Sequence, residues 1–511
     1  MAGYDSTLKE HLISGFTYGF RINSSFSKQE SGFPKNHKSA RDNIDIVNSK
    51  LTKEISMGRI KGPFLKPPFT NFISSPLGLV PKKEIGQYRF IHDLSYPKGD
   101  SVNSHIPEEF TSVSYQNIET VIELVQYYGF NCLMSKADIK DAFRLIPIHP
   151  DDYHLLGFHW NGQFYFDRAL PMGASSSGQL FESFSTALQW ILKERFKIAG
   201  ISHLLDDFFF VGEANSNKCS VALNTFSCLS EELGVPIKSE KTESPSTCII
   251  IYGIEIDSSM MVARLPQDKI AKITSLLSEF KSRRKVTLRE LQSLLGLLNF
   301  ACSVIIPGRA FLRRLFDLAA GHTCPNFRIT LNSEARADLR AWYEFILHFN
   351  GKSCFLYKEW VSSETLKLYS DAAGVYGGFA AVFGNKWFAG NWPEMMKDLH
   401  ITVKELFPIV LALEIWVPAL SNHKILFMTD NQAVSDIINK TSSKDKILMK
   451  LVRRLVLASL KFNVFFRAKH ISGKSNIVCD LLSRFSFQEA HQIAPWLSKQ
   501  PVVVPSHLVN L

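Results

Sequence analysis

HLLDDFFFVG, residues 203–212, sets two aspartates, Asp206 and Asp207, side by side in a run of leucines and phenylalanines. An unpaired carboxylate buried in such a strand loses roughly several kcal/mol of solvation, and each acid repels the other. The pair makes sense if a cation sits there. It also makes sense, less sharply, if the two acids end a strand and face water. Asp138 closes another apolar stretch, in CLMSKADIKDAFRLIPIHP (132–150). If those strands pair, three carboxylates converge. Hard divalent cations take oxygen ligands and suppress the repulsion among them. Two such ions about 3.5–4 Å apart activate an attacking hydroxyl and stabilise the leaving oxygen in phosphoryl transfer. An isolated Asp-Asp is commonplace in loops and helix caps. A strand ending in Asp, then a glycine turn and a helix, then a strand carrying Asp-Asp, is much more specific.

The 511-residue length exceeds one ordinary core and predicts two to four domains. Hydrophobic residues at 45% and aromatics at 12% supply packed interiors and exclude wholesale disorder. No apolar run reaches the length of a membrane span, and the longest helical candidate, IVLALEIWVPAL, carries Glu414. The start, MAGYDSTLKEHL, has no apolar signal core, so an intracellular location, cytoplasmic or nuclear, is expected. Eight scattered cysteines with no C-x-x-C predict reduced thiols and no structural zinc. A net charge of +10 mildly favours a polyanionic partner.

Residues 1–55, rich in Ser, Asn and Lys, read as a mostly helical or flexible extension. GPFLKPPFTNFISSPLGLVPKK (62–83) reads as extended chain and turns, and YRFIHDLSY (88–96) as a strand. A strand ends near Asp138, followed by a short helix stopped by Pro147. FYFDRALPM leads through Gly173 into a helix over about 178–197, and HLLDDFFFVG and CIIIYGIEID are further strands. From about 263 the pattern turns helical, with Thr287 and Glu290 forming a capping-box pattern before LQSLLGLLNF. Arg283, Arg284 and Lys285 precede that helix, and Arg309, Arg313 and Arg314 follow it. Such charges are either a solvated face or, beside a polymerase-like core, a phosphate-contacting surface. From near 365, strands, helix, strand, helix, strand and helix compose an α/β unit of about 120 residues. The tail after 487 holds three prolines and reads as a loose end.

ADIKDAF, LPMG, LLDDFFF, LGVPIKSEKT and IYGIEI resemble, in order, the successive palm motifs of reverse transcriptases, and SPLGLVPKKEIGQYRFIHDLS resembles the fingers region before them. The resemblance spans roughly 56–320. It implies Asp138, Asp206 and Asp207 as metal-binding triad, with the Ile139 backbone also near a metal. It implies Lys82 and Arg89 as contacts to the incoming triphosphate, with Lys83 able to replace Lys82. The turn of Asp141 and Ala142 would cradle the triphosphate, Phe143 would exclude the ribose 2′-hydroxyl, and Met172 and Gly173 would lie by the nascent base pair. Lys241 matches a candidate proton donor to pyrophosphate. Taken singly, Lys82, Lys83 and Phe143 read equally as loop charges and a core aromatic. The chain departs from the family at Leu204, where Tyr is usual, and at Met172, where retroviral enzymes have Gln. Neither change removes a metal ligand.

SDAAG, TVKEL, MTDNQ and HISGKSNIVCDLLSR resemble ribonuclease H over about 365–486. The likeness implies Asp371, Glu405, Asp430 and Asp480 as the acids that hold two ions, with His470 aiding product release; Asn476 also matches. The combined expectation is an α+β right-hand polymerase (fingers, palm, thumb) followed by an α/β ribonuclease H-like domain. Its boundaries are an extension at 1–55, fingers and palm at 56–258, a thumb at 259–320, a connection at 321–364, ribonuclease H at 365–486 and a tail at 487–511. The implied activity is RNA-directed DNA synthesis with degradation of the RNA strand of RNA–DNA hybrids. Two Mg²⁺ ions per site, replaceable by Mn²⁺, are implied, with RNA template, DNA or RNA primer, hybrid and dNTPs as partners and no membrane. LSYPKGDSVN, LPMGASSS, TALQWIL and ACSVIIPGRAFLRRL look most like DIRS-type retrotransposons, which move with a tyrosine recombinase; gypsy-type elements are the alternative. The rival class is a domesticated polymerase that binds nucleic acid without catalysis, against which stands the presence of all seven acids.

Overall fold

The computed structural model describes residues 3–27, 32–82, 86–349, 352–354, 361–362, 368–374, 377–421, 423–462 and 464–509. The chain forms two compact units, Met1–Tyr252 and Gly253–Leu511.

In the first unit the N-terminal segment is largely helical and packed. Helix α1 (Ser6–Tyr18) starts at Asp5, whose carboxylate accepts from the Leu8 N–H at 2.9 Å, an N-cap satisfying an orphan donor. Helix α2 (Ile44–Ser56) buries Val47 and Leu51 beside β1 (Ile60–Phe64) and the hairpin of β2 (Leu77–Pro81) and β3 (Tyr88–His92). After α3 (Ile118–Tyr128) comes β4 (Leu133–Asp138), which ends at Asp138, and the chain then enters a 3-10 turn, Ala142–Leu145. The hairpin of β5 (Gly157–Trp160) and β6 (Gln163–Asp167) pairs with β1. Helix α4 (Ser177–Glu194) then leads to β7 (Ile201–Leu204), β8 (Asp207–Gly212), α5 (Lys218–Glu232) and β9 (Glu243–Ser246). The sheet order is β7-β8-β4-β9, all antiparallel.

The phenylalanine run is apolar throughout because the sheet is covered on both faces. Phe208 and Phe210 lie against Phe226 of α5, with ring centroids 4.6 and 5.4 Å apart, while Phe209 points to the opposite face and is equally buried.

The second unit begins with the hairpin of β10 (Ile254–Asp257) and β11 (Val262–Arg264). Helices α6 (Gln267–Ser282) and α7 (Leu288–Ala301) follow, joined by β12 (Lys285–Thr287). The predicted capping box is present in both halves, Thr287 and Glu290 each bonding the other's backbone. Strand β13 (Arg328–Thr330) pairs with β12, and α8 (Ser333–Phe349) lies against α6. A mixed sheet then forms from β14 (Tyr369–Ala372), β15 (Gly378–Phe383) and β16 (Lys386–Asn391), antiparallel in sequence order. Helix α9 (Ile401–Trp416) crosses to β17 (Lys424–Thr429), parallel to β14. Helices α10 (Gln432–Lys440) and α11 (Lys446–Phe462) precede β18 (Phe465–His470), parallel to β17, and α12 (Ile477–Ser483) follows. Helix α9 is apolar on nearly every side because it is wrapped on nearly every side; even Lys404 is buried, its ammonium donating to the Lys397 carbonyl at 2.6 Å.

The tail departs from the loose end predicted. Helix α13 (Phe487–Ile493) buries Ala490, and Ala494 and Leu497 join it in a core with Trp387 and Leu482. The Trp387 indole donates to the Ser498 carbonyl at 2.9 Å, and the Val502 N–H donates to the Trp387 carbonyl at 2.7 Å. Proline excludes helix and central strand, but it does not exclude an extended segment docked by backbone bonds. Leu497→Ala should therefore cost about 2–5 kcal/mol in the unfolding of the second unit, read by urea titration; a loose tail would give no change.

Candidate catalytic centres

The first centre is made by register. Asp138, last in β4, stands opposite Asp207, first in β8. Asp206 sits in the two-residue turn between β7 and β8, and its carbonyl accepts from the Ile139 N–H at 3.0 Å. The three predicted acids are thus on one sheet end. Burial raises the pKa of Asp206, helped by the charge of Asp138. Burial likewise pushes Asp207 up to about 6, with Asp206 and Asp138 adding to it. Two ammonium groups balance the cluster. Lys238 pairs with Asp138 and lies 3.8 Å from Asp206, and Lys241 lies 2.7 Å from Asp138. Lys241 was anticipated; Lys238, three residues earlier in the same LGVPIKSEKT stretch, was not, because the resemblance was carried to only one of its two lysines.

Beneath the turn runs a buried polar network. Leu205 adopts φ 53°, uncommon for a side chain with a β-carbon, and the Glu182 carboxylate of α4 accepts its N–H at 3.1 Å. The other Glu182 oxygen faces the His203 ring at 3.1 Å, and His203 contacts Gln189. Gln116 donates to Gln189 at 3.0 Å and accepts from the Ser202 hydroxyl at 2.8 Å. On helix α4 the two long polar side chains of the network, Glu182 and Gln189, lie among the buried residues of a mostly apolar face.

Four of the nucleotide residues implied by the resemblance line one cleft. A cleft of about 200 Å³ is lined by Lys82, Arg89, Asp141 and Met172, among others. Lys83 lies outside the described residues. Asp141 takes φ 53° and pairs with Arg59 at 3.1 Å. Its burial would raise its carboxyl, but Arg59 outweighs that and holds it below the ordinary value. Ala142 is buried, and Phe143 is half-buried, its ring 5.4 Å from that of Phe181. Gly173 could be nothing but glycine, since a β-carbon there would collide with the His92 carbonyl oxygen.

Of the six basic residues expected on a phosphate-contacting surface, three are engaged by acids of the fold. Arg283 pairs with Glu279 at 2.6 Å and Glu290 at 2.9 Å, Arg313 with Asp317 at 3.1 Å, and Arg314 with Glu334 at 3.5 Å. The Arg283 contacts, with the Thr287 cap, hold the Glu290 carboxyl down at about 2. Arg284, Lys285 and Arg309 are exposed and have no ion pair among the described residues.

The second centre collects Asp371 from β14, Glu405 from α9 and Asp430 from the end of β17, with ligand oxygens all within 4.8 Å of one another. The Ser483 hydroxyl donates to Asp371 at 2.6 Å, and Asn476 donates to the Ser370 carbonyl at 2.8 Å. Burial, then the charges of Asp371 and Asp430, push Glu405 up to about 9; burial carries Asp371 to about 6 against the Ser483 bond. Asp480 stands apart from the trio, its side chain 43% exposed and paired with Arg484 at 2.8 Å. Its charge still reaches Asp371. The exposed His470 ring contacts the Asp430 carbonyl at 3.1 Å.

Crowded carboxylates whose pKa rises, Asp206 and Asp207 in one set and Asp371 and Glu405 in the other, are what a divalent cation relieves, so both donor sets fit hard metal ions. Without metal, Glu405 holds a proton in the native state that it releases when unfolded. Stability of the second unit should then fall as pH rises from about 4.5 towards about 9. Saturating Mg²⁺ should flatten that slope, and Glu405→Gln should abolish its part above about pH 6 in EDTA, below which Asp371 still contributes. Melting curves across pH, with EDTA or Mg²⁺, provide the check; a slope indifferent to both would mean the acids do not share a cation.

Residues 80–256 match the family model for reverse transcriptase (RNA-dependent DNA polymerase). The chain is 25% identical over 286 residues to the Gag-Pro-Pol polyprotein of Mason-Pfizer monkey virus, covering 53% of this chain and 14% of that one. It is 29% identical over 166 residues to Protein P of duck hepatitis B virus (strain China), covering 32% of this chain and 20% of that one. The chain thus spans no more than a fifth of the length of these relatives. In fold it is similar to a foamy viral protease-reverse transcriptase solved in complex with double-stranded DNA, with TM-score 0.51, 18% identity, and 88% of this chain and 73% of that one covered. A second structure of that protein with double-stranded DNA gives TM-score 0.50, 19% identity, and 88% and 87% coverage. With the paired strands that end in Asp138 and Asp207 inside the matched segment, residues 80–256 are a reverse transcriptase domain of the retroviral and hepadnaviral type.

Proposed function

We propose that the chain is an RNA-directed DNA polymerase that also degrades the RNA strand of RNA–DNA hybrids. The observation that carries the first activity is the register of Asp138 opposite Asp207, with Asp206 in the adjoining turn, inside the segment that matches reverse transcriptase. The observation that supports the second is the convergence of Asp371, Glu405 and Asp430 on a ribonuclease H-like sheet. Asp138, Asp206, Asp207 and the Ile139 backbone would hold one pair of Mg²⁺ ions, and Asp371, Glu405, Asp430 and Asp480 another, with Mn²⁺ able to substitute. When bound, such ions activate the attacking oxygen and stabilise the leaving one. The protein's own groups do the rest. Lys82 and Arg89 bind the triphosphate, Gly173 lets the base pair approach, and Lys241 sits where it can give a proton to the departing pyrophosphate. RNA template, primer, hybrid and dNTPs are the partners. The foamy viral relatives were solved with double-stranded DNA, which supports a duplex in the same fold.

A DIRS-type retrotransposon is the proposed source, with a gypsy-type element as the alternative, on the strength of LSYPKGDSVN, LPMGASSS, TALQWIL and ACSVIIPGRAFLRRL. That source brings a separately encoded tyrosine recombinase as partner and an intracellular setting.

Primer extension on poly(rA)–oligo(dT), with hybrid cleavage measured alongside, tests the reading. Asp207→Asn should abolish synthesis and leave cleavage largely intact, and Asp430→Asn should do the reverse. A correctly melting wild type that binds duplex but performs neither reaction would establish the rival, non-catalytic reading.

The ring of Phe143 lies against Phe181, so it has a wall behind it. A supported aromatic cannot yield to a 2′-hydroxyl without strain. Phe143→Val should reduce the preference for dCTP over rCTP by an order of magnitude or more, about 1.4 kcal/mol per tenfold, in single-nucleotide incorporation. A destabilised variant with unchanged sugar preference would leave Phe143 as packing alone.

A further inference from the structure

The cleft that holds Lys82 and Arg89 has a wall that the polymerase motifs do not supply. Lys50 and Lys53 of α2, from the segment before those motifs, line the same cleft. Their position is fixed. Glu54, next in the helix, accepts from Arg144 Nε at 2.9 Å and lies 3.7 Å from Arg59. Arg144 in turn pairs with Asp167 at 2.7 Å, and Asp167 with the buried His92 at 2.9 Å. Arg144 and Arg59 therefore clamp the C-terminal turn of α2 to the floor of the cleft. Residues three and four apart share a helix face, so a clamp on Glu54 turns Lys50 the same way.

The clamp also decides the charge balance. Glu54 is the acid nearest these lysines in sequence, and two arginines occupy it. Among the described residues no ion pair joins Lys50, Lys53, Lys82 or Arg89 to an acid. Burial of Lys50, then the charges of Lys82 and Lys53, lower its pKa and outweigh the opposing charges of Glu54 and Asp141. Three acids also line the cleft, but Glu54, Asp141 and Asp167 are each held by Arg59 or Arg144, so the four cations without an ion pair leave it with an excess of positive charge that a polyanion would balance.

We propose that Lys50 and Lys53 complete the phosphate-binding wall of the nucleotide cleft, so that helix α2 is part of the substrate site. This rests on reading the cleft as the place of the incoming nucleoside triphosphate. Lys82 and Arg89 face the phosphates from the β2–β3 hairpin, and Lys50 and Lys53 face them from the helix. Cations that touch the phosphates before and during reaction contribute to binding more than to turnover.

The test uses the full chain and two readouts. The first is single-nucleotide incorporation of dTTP, and the second is calorimetric binding of inorganic triphosphate without primer or template. Lys50→Ala with Lys53→Ala should raise the KM for dTTP at least tenfold, with a smaller fall in kcat, and weaken triphosphate binding by a similar factor. The pair of arginine substitutions, which keeps the charge, should restore most of both. A double alanine variant with unchanged melting, KM and triphosphate affinity would overturn the proposal. A wild type that binds triphosphate through these lysines yet incorporates no nucleotide would sustain it while overturning the polymerase reading. Should the double alanine variant fail to fold, Lys50→Gln alone supplies the same comparison.

Discussion

Like-charge repulsion among buried carboxylates is the constraint around which the first unit is organised. Asp138 and Asp207 face each other because β4 and β8 pair in one register, and side chains alternate in a strand. A slip of one residue would move every phenylalanine of 208–210 to the wrong face. The cores above and below the sheet therefore hold the acids together against their own electrostatics. Phe208 and Phe210 on Phe226 fix one side of β8. The cost appears in the raised pKa of Asp206 and Asp207 and in the recruitment of Lys238 and Lys241.

The second unit meets the same problem with different parts. There the acids come from two strands and a helix, and a hydroxyl, Ser483, stands where the first centre has ammonium groups. Glu405 on the buried face of α9 carries the largest upward shift of the set, because that helix is wrapped in apolar side chains that leave its carboxyl little water. Asp480 belongs to the rim. Its side chain is 43% exposed and held by Arg484, and its charge reaches Asp371. Two centres of similar donor chemistry thus differ in how readily they hold protons when no cation is present.

Several residues owe their surroundings to structure far from the motifs. Arg283, apparently one of a basic run, is tied to Glu279 and Glu290 and stabilises the start of α7. Glu182 reaches the strained Leu205 from the middle of α4 and supports the turn that carries Asp206. Helix α2 lines the cleft of Lys82 and Arg89, where Arg144 and Arg59 grip Glu54.

The sequence by itself determined the centres' identities and most of the elements around them. Strand patterning placed Asp138, Asp206 and Asp207 at strand ends, and the Thr287–Glu290 spacing placed a helix start, because these signals are local and follow from backbone periodicity and capping. Motif order did the same for Asp371, Glu405 and Asp430. Only the tertiary structure decided which charges are spent inside the protein and which face a ligand. Arg283 and Arg284 are adjacent and chemically alike, yet one is paired and the other exposed. The packing of 487–509 against Trp387, and the clamp that aims Lys50 and Lys53, were equally illegible, since they join residues distant along the chain. The reason is physical: a charged or proline-rich segment has the same local preferences wherever it lies, and its role is set by the partner that folding brings to it.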